Sequence, residues 1–282
     1  RNERAKARDF KYNKEFYTTV LELLNGKKND VSKENANKDP RQFFTMRDLV
    51  AGETCKKLYK DFIMDKKLLK LHNKGVVHVH DLDYRAMKAM SNCCLLNLKD
   101  MLENGTCIQG KLIHDIHSLQ VAVTVTTQII AAVGSSQYGG ITINMSHLSP
   151  FVAKSKEKYE KIFSTLNDKD EWVEKFLRKE IVDSMQTFQY QLNSLTTTNG
   201  QSPFITVACN TNDVDDEYKD YTALLIEEFL KQRIKGMEGP NGNNINPSFP
   251  KIVYILTENN MEKDSKYYYL TDLAAECTSK RM

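Results

Sequence analysis

The sequence predicts an α/β fold with parallel strands. Three observations carry that prediction: long stretches with apolar residues at helical spacing, short β-branched runs between them, and separations too long for hairpins. Residues 204–208 and 251–256 read as strands, and the amphipathic stretch 213–235 between them is the kind of crossover that parallel strands need. No internal repeat and no Pro- or Ser-rich hinge interrupts the pattern. A closed barrel and a doubly wound sheet fit it equally well.

Residues 11–24 repeat Phe16, Val20, Leu23 and Leu24 at helical spacing, and residues 25–40 form a Lys/Asn-rich linker. Helical patterning resumes over 46–73, with Leu49, Leu58, Phe62, Leu68 and Leu69 in phase and Gly75 as a stop. The period then changes to two over 76–84. A strand there places His78, His80, Leu82 and Tyr84 on one face and Val77, Val79, Asp81 and Asp83 on the other. A short helix ends near Asn104 and Gly105. Residues 113–132 read as a helix despite their Val and Thr content, because their length favours one. The segment 134–140 predicts a tight helix-to-strand connection with positive φ at Gly139 or Gly140, leading into a strand at 141–144. Helices follow over 150–166 and 169–195, the second marked by Trp172, Phe176, Ile181, Met185 and Phe188. After the strand at 204–208 and the helix at 213–235 comes a Gly/Asn/Pro loop over 236–247. The β-branched run 251–256 predicts a buried strand, and a last helix begins near Tyr269.

The chain has 282 residues, enough for a substantial core, and 40 basic against 37 acidic side chains leave a formal charge of +3. That balance supplies no field that argues for nucleic acid or an anionic membrane surface. The longest apolar stretch, 119–133, is interrupted by Gln120, Thr124, Thr126, Thr127 and Gln128, so no membrane span is expected. The start lacks the apolar region of a signal peptide. Six cysteines without a C-x-x-C pair imply free thiols in a reducing, cytoplasmic compartment, and neither a zinc knuckle nor a thioredoxin motif. The glycines of 134–140 lack the Lys-Ser/Thr of a phosphate-cradling loop. Lys154, Lys156, Lys158 and Lys161 line one helix, either as a solvated face or toward a phosphate.

His78 and His80 are a candidate metal pair, which needs a third convergent Asp or Cys to make a complete site. With Asp81 they would suit a metal-dependent hydrolase. The adjacent Cys93 and Cys94 read either as two small core residues or as a nucleophile awaiting a base.

In order along the chain stand Glu34-Asn35-Ala36-Asn37, His78-Val79-His80-Asp81-Leu82-Asp83-Tyr84, Asn92-Cys93-Cys94-Leu95, Ser135-Ser136-Gln137-Tyr138-Gly139-Gly140 and Pro247-Ser248-Phe249-Pro250-Lys251. Together they resemble the anaerobic, class III ribonucleoside-triphosphate reductases of the glycyl-radical superfamily, over residues 29–282. The resemblance implies a ten-stranded α/β barrel that reduces the ribose 2′-hydroxyl of ribonucleoside triphosphates. It implies a glycyl radical near the carboxyl end, installed by a radical-SAM activating enzyme, and a thiyl radical on a finger-loop cysteine. A second cysteine on the first barrel strand donates a hydrogen atom, and the motif assigns that role to Cys93 rather than Cys94. Such chemistry needs a dry pocket, in which His78, His80 and Asn92 are candidate substrate contacts. Nucleotide effectors (a deoxynucleoside triphosphate or ATP) bind in this family where two subunits of a homodimer pack helices, and His117, Gln120 and Lys161 are the candidate contacts.

On this reading residues 1–40 are an amino-terminal helical and linker segment, and 41–282 are the amino-terminal half of the catalytic barrel. The finger-loop cysteine, the four-cysteine structural zinc site and the glycyl-radical segment are not in the sequence, so the chain alone is expected to be inactive. The alternative is a nucleotide-binding and dimerisation module without chemistry of its own.

Overall fold

In the computed structural model, residues 14–27, 42–87, 93–136, 139–198 and 200–281 are described. The chain divides into two compact units, residues 1–90 with 198–201 and residues 91–197 with 202–282.

The described part of the first unit is helical: α1 (Lys14–Leu24), α2 (Phe43–Leu58), α3 (Lys66–Asn73) and the single turn α4 (Leu82–Arg85). The one helix expected over 46–73 is two, joined by a π turn at Tyr59–Ile63. Met64 is extended, and Asp65 restarts the helix by accepting hydrogen bonds from the backbone N–H groups of Lys67 at 2.9 Å and Leu68 at 3.1 Å. The strand expected at 76–84 is absent. Residues 78–81 are irregular, and Asp81 takes a left-handed conformation (φ 54°) that breaks the alternation before α4 begins. Arg85 Nε holds that reversal by donating to the His80 carbonyl at 2.8 Å.

The second unit is α/β with a parallel sheet, as the sequence predicts. Its elements are β1 (Cys94–Leu95), α5 (Leu98–Glu103), the hairpin β2 (Thr106–Ile108) and β3 (Lys111–Ile113), and α6 (Leu119–Ser136). Then come β4 (Ile141–Asn144), α7 (Ser149–Ile162), α8 (Lys169–Ser194), β5 (Ile205–Cys209) and α9 (Lys219–Lys235). A small hairpin, β6 (Met237–Glu238) with β7 (Asn244–Ile245), precedes β8 (Lys251–Tyr254) and α10 (Tyr268–Arg281). The sheet order is β1-β4-β5-β8 and every pairing is parallel, with Cys94 opposite Ile141, Ile141 opposite Ile205, and Thr206 opposite Lys251. The sheet has four parallel strands, and no closed barrel is seen among the described residues.

Alternation builds the core. Ile141, Ile143, Ile205, Val207 and Cys209 are buried, while Thr142, Asn144, Thr206 and Ala208 between them are half-buried. Phe151, Phe188 and Phe229, from α7, α8 and α9, are fully buried, and each contributes about 1.5–3 kcal/mol of burial free energy.

Two boundaries differ from expectation. The helix expected from residue 113 starts at Leu119, because Gln109 (φ 50°) and Gly110 (φ 75°) make a two-residue hairpin turn that draws 111–113 into β3. Among the described residues the strand at 251 is an edge rather than a buried strand, with Lys251 and Val253 exposed. The expectation that no stretch is long and apolar enough for a bilayer is also corrected: the 18-residue α6 meets that test by length and composition. It is a core helix here, however. Eight of its residues are buried, and its polar side chains bond to α8, with Gln120 Nε2 donating to Thr187 Oγ1 and Thr127 Oγ1 to Gln191 Oε1.

Candidate active site

Parallel pairing brings segments far apart in sequence to the amino-terminal edge of the sheet. Cys93 precedes β1, Gly140 precedes β4, Phe204 precedes β5, and Phe249 and Pro250 lead into β8. The row is tied by backbone bonds: Cys94 N–H donates to Gly140 O at 2.9 Å, and Ile141 N–H to Phe204 O at 2.8 Å. A methyl group on Gly140 would lie 3.6 Å from Cys93 Sγ and 3.8 Å from the Phe204 ring. The thiol, the glycine and the aromatic ring therefore share one small surface, and hydrogen at position 140 keeps it open beside the sulfur. Phe204 in turn packs on Phe249, centroids 4.5 Å apart, and the Lys251 ammonium lies 5.0 Å from the Phe204 ring centre. Two of the sequence motifs, around Cys93 and around Phe249, are joined through a third element, Phe204, that sequence reasoning did not single out.

The neighbouring thiols separate by environment. Cys93 is exposed, whereas Cys94 is half-buried and packs against the core. The dry surroundings expected for Cys93 are not formed by the residues described. Cys209 is fully buried, and desolvation, with Cys277 nearby, pushes its thiol up to about 12. Burial likewise raises Cys277, although Arg233 and Arg281 oppose it. Neither is suited to thiolate chemistry.

Of the other substrate-pocket candidates, Asn92 lies outside the described residues. His78 and His80 belong to the first unit, with exposed rings that face each other although no strand holds them. Among the described residues no three His, Cys, Asp or Glu side chains are arranged to hold a metal ion.

The three effector candidates are not gathered together. His117 is exposed, with Nε2 3.1 Å from Asp115 Oδ2, and Lys161 is exposed on α7. Gln120 lines a cavity of about 360 Å3 with Lys158, Tyr159, Phe176, Lys179, Glu180 and Asp183. Glu180 is the hub of this group and was missed in the sequence. It accepts from Tyr159 Oη at 2.7 Å, Ser155 Oγ at 2.8 Å, Gln120 N–H at 3.2 Å and Lys158 Nζ at 3.3 Å. Burial alone would raise its pKa, but these donors together hold it below the ordinary carboxylate value. The signal was available, since Glu180 sits in phase with Val173, Leu177, Ile181 and Ser184 on the buried face of α8. At the opposite, carboxyl-terminal edge of the sheet, Ser146, His147, Asn212 and Asp213 line a further cavity of about 560 Å3. Desolvation there lowers the His147 pKa, with Asp213 opposing.

Residues 34–282 match the family model described as anaerobic ribonucleoside-triphosphate reductase. The chain is 38% identical over 272 residues to the enzyme of that name from Enterobacteria phage T4, covering 92% of this chain and 42% of the relative. It is 36% identical over 254 residues to that from Escherichia coli, covering 88% and 35%. The chain thus spans about two fifths of the relatives it matches. Solved structures share the fold. An anaerobic ribonucleotide reductase aligns over 91% of this chain and 44% of its own, at a TM-score of 0.61 and 16% identity. The Thermotoga maritima enzyme in complex with dATP and CTP aligns over 82% and 44%, at 0.53 and 15%. The order of motifs, the parallel sheet that joins them and the family match agree: this chain belongs to the anaerobic ribonucleoside-triphosphate reductase family.

Proposed function

We propose that this chain forms the part of an anaerobic ribonucleoside-triphosphate reductase that presents the hydrogen-donating thiol, and that Cys93 is that thiol. The observation that carries the reading is the meeting of Cys93, Gly140 and Phe204 at one sheet edge. A thiol S–H bond is weak enough to give a hydrogen atom to a carbon radical. The 2′-hydroxyl takes up a proton and leaves as water, Cys93 Sγ gives its hydrogen atom to the carbon radical at the 2′ position, and the thiyl radical left on Cys93 is returned to the thiol by an external reductant of the formate or dithiol class. Phe204 supplies an apolar wall for the sugar, and the Lys251 ammonium adds positive charge on the same side. The glycyl radical, when present, supplies the initiating hydrogen abstraction through a further cysteine. That radical, its radical-SAM activating enzyme and a structural zinc site all involve residues outside the 282 of this chain.

The helical side of the unit is assigned to regulation. The cavity at Gln120 is the place for a deoxynucleoside triphosphate or ATP on the helices that a homodimer would pack; His117, in the loop before α6, and Lys161, on α7, do not line it. Its ammonium groups, Lys158 and Lys179, pair with Glu180 and Asp183 of the same cavity, so a phosphate would have to draw them from these carboxylates, and its aromatic rings suit a base. The six thiols, none in a disulfide, suit a reducing cytoplasm.

Substrate protection tests the assignment on the chain itself. Alkylation of Cys93 and Cys107, the two exposed thiols, is followed by peptide mass spectrometry under anoxia with and without CTP. The reading expects CTP to slow modification of Cys93 severalfold and leave Cys107 unchanged. Equal rates with and without nucleotide at both thiols would count against a substrate site at Cys93.

A further inference from the structure

We propose that His78 and His80 form an exchangeable site for a divalent transition-metal ion of the Zn2+ and Co2+ class. The proposal does not rest on the reductase reading. His78 Nε2 lies 3.3 Å from His80 Nδ1 and the ring centroids are 5.5 Å apart. Two nitrogens bound to one tetrahedral ion at about 2.0–2.1 Å stand about 3.3–3.4 Å from each other. An ion therefore enters with the nitrogen spacing kept, each ring tilting toward it.

The surroundings prepare His80 for this role. Asp81 Oδ1 lies 3.2 Å from His80 Nε2, on a carboxylate that is itself only 14% exposed. It keeps the proton on Nε2 and leaves the Nδ1 lone pair turned to His78, as a carboxylate behind a metal-bound imidazole does. The backbone is fixed as well: Arg85 Nε holds the His80 carbonyl, and Asp81 is in the left-handed region (φ 54°). His72 packs on the pair, 5.8 Å from the His78 ring, but its Nδ1 accepts from Val79 N–H at 3.3 Å, so it buttresses rather than ligates. Without metal, His78 Nε2–H donates to His80 Nδ1; on binding, that proton moves to His78 Nδ1, and a neutral ring releases none. Two protein ligands leave the other positions to water. With both rings exposed, the ion exchanges with solvent rather than building the fold.

The test titrates the thiol-reduced chain with Co2+ alone, read by calorimetry and by visible absorption. One ion per chain is expected, with a spectrum free of thiolate-to-cobalt charge transfer. His78→Ala and His80→Ala should each weaken binding at least tenfold, and Asp81→Asn about tenfold. His114→Ala, on another exposed histidine, should leave it unchanged. Circular dichroism confirms that each variant keeps its helices. Binding that survives the His78→Ala/His80→Ala double substitution, or no binding at millimolar Co2+, overturns the proposal.

Discussion

Cys93 and Cys94 differ in fate because successive residues entering a strand point to opposite sides. Only one of them can pack against the helices, and it is Cys94. Gly140 guards the other. An alanine there makes ordinary van der Waals contact with the Cys93 sulfur, so Gly140→Ala should fold normally yet slow Cys93 alkylation severalfold. A larger Gly140→Val should slow it further. The same labelling experiment should find Cys209 the last thiol to react, since burial keeps it protonated. Glu180 carries the other prediction at this scale. Its folded pKa lies below the ordinary value, so its stabilisation is fully present above the usual carboxylate range and is lost as pH falls through the folded value. Urea unfolding of Glu180→Gln should therefore show a shallower loss of stability below about pH 4.5 than the parent chain. Glu180→Ala, which strands the hydroxyls of Tyr159 and Ser155 and the Gln120 N–H, should cost about 3 kcal/mol at neutral pH. Cys93 stands out in the sequence through its motif, and the structure places it beside Gly140 and Phe204. Glu180 was hidden because a lone acid in a long helix reads as surface until its phase with the apolar residues is counted.

Elements were legible where one period ran long. Helices α7, α8 and α9 and strands β4 and β5 fall close to where apolar spacing puts them. The misplacements have local causes. Alternation over 76–84 is real in the sequence, but among the described residues no strand pairs with it, and the left-handed Asp81 turns it into a bend and one helical turn. The β-branched run at 251 suggested burial, whereas among the described residues it pairs on one side only. Period alone cannot report how many partners a strand has. The ends of α9 and α10 show a contact that pattern also misses: Arg281 Nε donates to Ile234 O at 2.7 Å, and Nη2 to Lys235 O at 3.0 Å. A guanidinium there satisfies the open carbonyls at the end of α9 and complements its dipole. Arg281→Ala should lower stability by about 1–3 kcal/mol, measurable as a drop of several degrees in Tm. Arg281→Lys should recover only part of it, because one ammonium cannot reproduce the fork.

At the scale of the molecule, helix-separated strands were enough to predict a parallel sheet, and the order of motifs was enough to predict the family. Neither states where those motifs meet. Parallel pairing puts the starts of β1, β4, β5 and β8 on one edge, and so converts motifs scattered along the chain into a single surface beside Cys93. We propose that this surface takes part in reducing a ribonucleotide through the Cys93 thiol. It is tested most directly by joining the chain to the remaining length of a family member such as the phage T4 relative, activating it under anoxia and measuring deoxycytidine triphosphate formed from CTP. The account predicts turnover that Cys93→Ala abolishes, with at least 1000-fold loss, and that Cys94→Ala leaves within about tenfold. Turnover retained by Cys93→Ala would contradict it.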